Sequence, residues 1–137
     1  MKNIVERTKK DGSPIKVLIV DDSIFITKQL NQILASAGYE VVGIANNGGE
    51  ALELYQELSP NIDLVTMDIT MPKMDGITAL EKIIAFDKNA KVVMVTAIGK
   101  EDLVKKAILA GAKNFIIKPL DRTAILARLN AVCADLC

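Results

Sequence analysis

The chain has 137 residues, half of them apolar and a quarter charged, which is the usage of one ordinary globular domain rather than a disordered segment. Seventeen Lys and Arg balance seventeen Asp and Glu, so the net charge is zero, which argues against a general nucleic-acid binder or a polybasic membrane surface. Histidine is absent, which removes every His-based triad, general base and metal ligand, and two cysteines alone are too few soft ligands for structural zinc.

Residues 1–14 (MKNIVERTKKDGSP) hold no apolar core of a secretory signal and read as an N-terminal extension. The loop-forming cluster Asp11, Gly12, Ser13 and Pro14 closes it. A flexible tail, a segment pairing at a sheet edge and a dimer contact are its open alternatives, and residues 15–137 form the domain proper. From there the pattern alternates. Val17–Val20 is an apolar run too short for a helix and rich in β-branched residues, which predicts a buried strand. Ser23 suits a helix N-cap, and Ile26, Leu30, Ile33, Leu34 and Ala37 mark one face of a helix ending at Gly38. Val41–Ala45 reads as the second strand. Asn47 with Glu50 three residues on is a capping signal for a helix bearing Ala51, Leu54, Tyr55 and Leu58, stopped by Ser59 and Pro60. Ile62–Met67 is the third strand, and Pro72 and Gly76 bracket the loop before a helix with Ala79, Leu80, Ile83 and Ile84 inward. Lys91–Val95 is the fourth strand, followed by a helix striped by Leu103, Val104, Ala107 and Ile108 and ended by Gly111. Asn114–Ile117 is the fifth. Asp121 caps the last helix, which carries Ile125, Leu129, Val132 and Leu136 at helical spacing.

Five strand–helix pairs with apolar strands predict an α/β domain whose parallel sheet is covered on both faces. Cys133 and Cys137 would share a face if the last helix runs to the end; they read as reduced thiols, one half-buried and one at a frayed terminus, in keeping with a reducing cytoplasm. With no run of about 20 apolar residues, no membrane insertion is expected and the protein reads as soluble and intracellular.

In an open α/β sheet, ligands bind beyond the carboxyl ends of the strands. The residues in that position are Asp21 and Asp22 after the first strand, Asp68 after the third, Thr96 after the fourth, and Lys118 and Pro119 after the fifth. If the first and third strands are neighbours, three carboxylates meet at one rim. Two unit charges 4 Å apart interact by about 4 kcal/mol at an effective dielectric of 20, so such a cluster calls for a hard cation, and Mg²⁺ with oxygen ligands is the natural candidate. A cation, an ammonium and a hydroxyl around one carboxylate would stabilise a transferring phosphoryl group, and attack by that carboxylate would leave an acyl phosphate on it.

The segments VLIVDDS (17–23), LVTMDITMPKMDGI (64–77), VVMVTA (92–97) and AGAKNFIIKPL (110–120) resemble the receiver domain of two-component response regulators over roughly residues 15–136. With no output domain following, the likeness is greatest to single-domain chemotaxis members. The resemblance implies a flavodoxin-like, doubly wound sheet of strand order 2-1-3-4-5 with five helices. It implies that Asp68 is the phosphoacceptor, that Asp21 and Asp22 are the acidic pair that holds Mg²⁺, with Asp22, Asp68 and the backbone carbonyl of Thr70 as direct ligands and Asp21 acting largely through water, and that Lys118, ahead of a cis bond to Pro119, grips the phosphoryl oxygen. Thr96 and Phe115 match the paired hydroxyl and aromatic switch positions.

The implied function is a phosphoprotein of the chemotaxis two-component system. It would catalyse its own Mg²⁺-dependent phosphorylation and dephosphorylation without being a classical enzyme. The implied partners are a chemotaxis histidine kinase and the flagellar switch protein, through which it would govern flagellar rotation. A non-chemotactic receiver such as a phosphorelay intermediate is the alternative. Phe115 lacks the hydroxyl of the tyrosine common in chemotaxis members. Thr70 stands where relatives often carry Asn, and Ile98 where a polar residue is frequent; slow intrinsic loss of the phosphoryl group, leaving a role for a separate phosphatase, is expected from this. A flavodoxin-type electron carrier is disfavoured, since DDS puts two negative charges where a flavin phosphate should sit. A haloacid-dehalogenase-type phosphatase is disfavoured too, because it needs a second Asp where this chain has Thr70.

Overall fold

The apolar runs pair side by side in parallel. In the computed structural model, which describes residues 8–71 and 74–137, they are β1 (Lys16–Val20), β2 (Glu40–Ala45), β3 (Leu64–Asp68), β4 (Val92–Thr96) and β5 (Asn114–Ile117). Their order across the sheet is β2-β1-β3-β4-β5, with every neighbouring pair parallel, so β1 and β3 do lie side by side. The helices α1 (Ile24–Ser36), α2 (Gly48–Leu58), α3 (Gly76–Phe86), α4 (Glu101–Leu109) and α5 (Arg122–Val132) divide between the two faces. One apolar cluster joins Leu18, Val65, Met67 and Met94 to Ala51 and Tyr55 of α2, Leu80 and Ile83 of α3, and Ala107 of α4. The other joins Val17, Ile19, Leu64 and Val95 to Leu30 and Leu34 of α1 and to Ile125 and Leu129 of α5. Alternate residues of each strand thus serve opposite faces, which is why the strands read as unbroken apolar runs. The fold is the flavodoxin-like arrangement expected from the resemblance.

The helix starts follow the capping chemistry read from the sequence. Ser23 Oγ accepts from the Ile26 N–H (3.3 Å), Asn47 Oδ1 from Glu50 (2.9 Å) and Asp121 Oδ2 from Ala124 (2.9 Å). The Glu50 carboxylate reaches back to accept from the Asn46 N–H (3.2 Å). Asp75 caps α3 by accepting from Thr78 (2.8 Å). The expected Pro72 boundary of that loop lies outside the described residues.

Five local expectations are corrected. β3 and β4 each run one residue further than their apolar segments, because Asp68 and Thr96 continue the parallel ladder, paired with Val95 and Ile117. β3 also starts two residues late: Ile62 packs in the core without pairing, while the Asp63 carboxylate accepts from the Lys16 N–H (2.9 Å). Ile108 does not face inward; it is 42% exposed, because α4 rests on the sheet along Leu103, Val104 and Ala107 only. The last helix stops at Val132, and a 3₁₀ turn, Ala134–Leu136, follows it. Leu136 therefore lies on that turn, and Cys133 is fully buried rather than half-buried, its thiol pushed up to about 12 by burial. Both cysteines are free thiols.

Residues 8–14, the described part of the N-terminal extension, fold back on themselves at the amino-end edge of the sheet. Thr8 and Pro14 form an antiparallel bridge, Lys9 pairs with Asp63 (3.2 Å), and the Lys10 N–H donates to the Leu136 carbonyl (3.0 Å). Residues 1–7 lie outside the described residues. Among the described residues no helix is long and apolar enough to cross a membrane.

Thr66, in the middle of β3, is fully buried and its hydroxyl has no hydrogen-bond partner. A buried unpaired hydroxyl costs about 1–3 kcal/mol. Thr66→Val keeps the shape and removes the group, so it is expected to stabilise the fold by about 1 kcal/mol, read as a higher urea midpoint with unchanged slope. A lower midpoint would contradict this reading.

Candidate functional site

The carboxyl ends of β1 and β3 adjoin, and that adjacency builds the site. Asp21 follows β1 directly and is held by two backbone bonds. Its N–H donates to the Ala45 carbonyl (3.0 Å), and its Oδ1 accepts from the Ser23 N–H (2.9 Å). It is 1% exposed. Asp68 closes β3 at 6% exposure, and Asp22 stands beside them in solvent. One carboxylate oxygen from each of the three lies within 4.8 Å of the other two.

The geometry of α3 closes the far side of Asp68. Gly76 opens that helix, and its N–H donates to the Ile69 carbonyl (2.7 Å). A Cβ at position 76 would overlap the Asp68 carbonyl oxygen, so only glycine lets the helix start this close to the end of β3.

Among the described residues a single ammonium faces the acids. Lys118 follows β5, its N–H donating to the Thr96 carbonyl (2.7 Å), and its bond to Pro119 is cis as expected. Its Nζ is 3.3 Å from Asp21 Oδ2 and 3.6 Å from Asp68 Oδ1. The approach to Asp21 Oδ2 attracts but is not aligned for donation, so this buried oxygen has no hydrogen-bond donor. Burial, with the neighbouring Asp21 charge, pushes the Asp68 carboxyl up to about 6 against the partial relief from Lys118.

These groups fit a divalent cation. The donors are all hard oxygens, one buried carboxylate oxygen lacks a donor, and the negative charges outnumber the ammonium. Thr70 lies two residues past Asp68 and is exposed, lining with Ile69, Met71 and Thr78 a cavity of about 320 Å³.

Thr96 and Phe115 come together on the next strands. Thr96 is 3% exposed, and both line a mainly apolar cavity of about 290 Å³ under the start of α4. Every residue singled out in the sequence for this site thus stands at the carboxyl edge of the sheet, except Phe115, which lies within β5 facing that cavity. One contact carried no sequence signal. Arg128, thirteen residues further on in α5, stacks its guanidinium over the Phe115 ring (4.5 Å to the centroid).

Folding raises the Asp68 carboxyl from its ordinary 3.8, so the metal-free fold favours the protonated acid. That contribution is fully present below 3.8 and is lost as pH rises through about 6. In chelator, Asp68→Asn is therefore expected to melt higher than the wild type at pH 7.5, with the gap closing towards pH 4. A gap that does not change with pH would refute this.

Similarity to known proteins identifies the family. A model of the response regulator receiver domain family matches residues 17–130. The chemotaxis protein CheY of Treponema pallidum (strain Nichols) is 63% identical over 124 residues, covering 90% of this chain and 86% of that protein. CheY of Thermotoga maritima is 50% identical over 117 residues, covering 85% of this chain and 96% of that protein. A crystal structure of the CheX–CheY–BeF₃–Mg²⁺ complex from Borrelia burgdorferi contains a chain 56% identical, with a TM-score of 0.86 over 89% of this chain and 91% of that one. Family match, identity over nearly the whole chain and close structural similarity converge: this chain belongs to the response regulator receiver domain family.

Proposed function

We propose that this receiver is a chemotaxis response regulator that accepts a phosphoryl group on Asp68. The observation that carries the proposal is a nearly buried carboxylate at the end of β3, flanked by two further carboxylates and one ammonium. An Asp68 oxygen attacks the phosphorus of a phosphohistidine on a chemotaxis histidine kinase, or of a small acyl phosphate. The new O–P bond forms as the P–N or P–O bond breaks, and the leaving group keeps the bonding pair. Asp21, Asp22, Asp68 and the Thr70 carbonyl are the groups that would hold Mg²⁺, which when bound neutralises the phosphoryl oxygens.

Lys118 steadies one of those oxygens, and the Thr96 hydroxyl moves towards another. Phe115 follows Thr96 into the adjoining cavity, and the face of α4, β5 and α5 changes its affinity for the flagellar switch protein. Thr70 presents no amide to orient attacking water, so loss of the phosphoryl group is slow and a separate phosphatase completes the cycle. Two free thiols suit a reducing cytoplasm. The phosphorelay alternative is disfavoured, since relatives at 50–63% identity are chemotaxis proteins.

Intact-mass analysis after acetyl phosphate tests the chemistry. A phosphate-sized gain is expected that needs Mg²⁺ and is lost in Asp68→Ala; a gain without metal, or one surviving in that variant, would reject Asp68 as acceptor. Followed over time, the adduct is expected to decay faster in Thr70→Asn than in the wild type. Equal or slower decay in that variant would remove the argument for a separate phosphatase.

A further inference from the structure

We propose that Arg128 is a positioning residue for Phe115, a latch that holds the ring in its resting place and sets how readily the site takes a phosphoryl group. The proposal rests on the reading of Phe115 as the mobile aromatic. β5 is the last strand of the sheet, so the Phe115 side chain has no further strand beside it. Arg128 reaches across from α5, which otherwise packs on the opposite face through Ile125 and Leu129. Its guanidinium stacks over the ring at 4.5 Å, and its Nη1 donates to Asn114 Oδ1 (2.7 Å). That same oxygen accepts from the Phe115 N–H (2.8 Å), so one amide ties the arginine to the backbone of the residue it covers. A planar guanidinium pinned at its end loses little freedom when it stacks.

The ring also has somewhere to go. The cavity it lines with Thr96, Ala97, Val104 and Ile117 is about 290 Å³, larger than the apolar cavity of about 150 Å³ that takes up benzene. Moving into that space breaks the stacking on Arg128. A cation–π contact at a partly exposed site shifts a two-state balance by a factor of about two to five. The arginine therefore holds back the inward state by that factor, and a ligand that favours the inward state must overcome it.

The test labels the three phenylalanines with 4-fluorophenylalanine and follows the Phe115 ¹⁹F signal while Mg²⁺ and beryllofluoride are added to wild type, Arg128→Met and Arg128→Lys. Arg128→Met keeps the stem but loses the charge. It is expected to bind beryllofluoride about two to five times more tightly, with its Phe115 signal already displaced towards the bound position before addition. Arg128→Lys should fall between. In a Phe115→Leu background, read by the magnesium-dependent rate of acetyl phosphate labelling, the Arg128→Met effect should vanish, which a general loss of packing would not produce. Unchanged affinity and an unmoved resting signal in Arg128→Met would overturn the latch and leave the phosphoacceptor reading intact. A wild-type signal that does not move on binding would overturn both the latch and the mobile role of Phe115. No beryllofluoride binding by the wild type would overturn the phosphoacceptor reading, and the latch with it.

Discussion

Like charges forced together at the end of a parallel sheet are the constraint around which this molecule is arranged. Asp21 and Asp68 are almost wholly withdrawn from water, Asp22 is beside them, and among the described residues a single lysine reaches in. Nothing in the ordinary economy of folding favours this. The fold tolerates it because the backbone fixes each group: Asp21 through Ala45 and Ser23, Asp68 through the β3–β4 ladder, Lys118 through the Thr96 carbonyl. The rim is therefore preorganised and electrostatically unfinished, with a buried carboxylate oxygen that no donor satisfies. The cost falls on the metal-free state, where Asp68 holds its proton more tightly than a free carboxylate does.

The architecture was legible in the sequence because each layer left its own signature. Continuous apolar strands announced a sheet covered on both sides, and Ser23, Asn47 and Asp121 announced three helix starts. The site was legible for a related reason: a parallel sheet places the residue after each strand at one edge, so Asp21, Asp68, Thr96 and Lys118 could be gathered before any distance was known. The strand order itself came from resemblance, since local patterns do not say which strands are neighbours. Hydrophobicity failed where polar residues continue a ladder, as at Asp68 and Thr96, and where an apolar residue rides on a helix that barely touches the sheet, as at Ile108. Arg128 was invisible for another reason, because nothing in the spacing of α5 and β5 shows that a side chain will wrap round the last strand onto an aromatic face.

Two of the groups read as a switch lie on the weakly packed side of the molecule. α4 buries only Ala107 fully, and Leu109 is 89% exposed. The cavity between this helix and β5 is thus bounded by an element with little holding it in place. An event at Asp68 has a short route there, since Asp68 pairs with Val95, and Thr96, the next residue of β4, pairs with Ile117 of β5. The two ladders join the acidic rim to a loosely seated helix, which is the compliance the proposed switch would use.

The bond between the Lys10 N–H and the Leu136 carbonyl ties the two ends of the described chain together at the amino edge of the sheet, away from the acidic rim. A five-residue strand such as β1 spans about 16 Å, which sets the scale of separation between those poles. A dye or surface tether joined at Lys10 or at Cys137 would therefore stand clear of the acidic rim, and two fluorophores placed on those two residues would lie too close together to report a rearrangement of the rim by energy transfer.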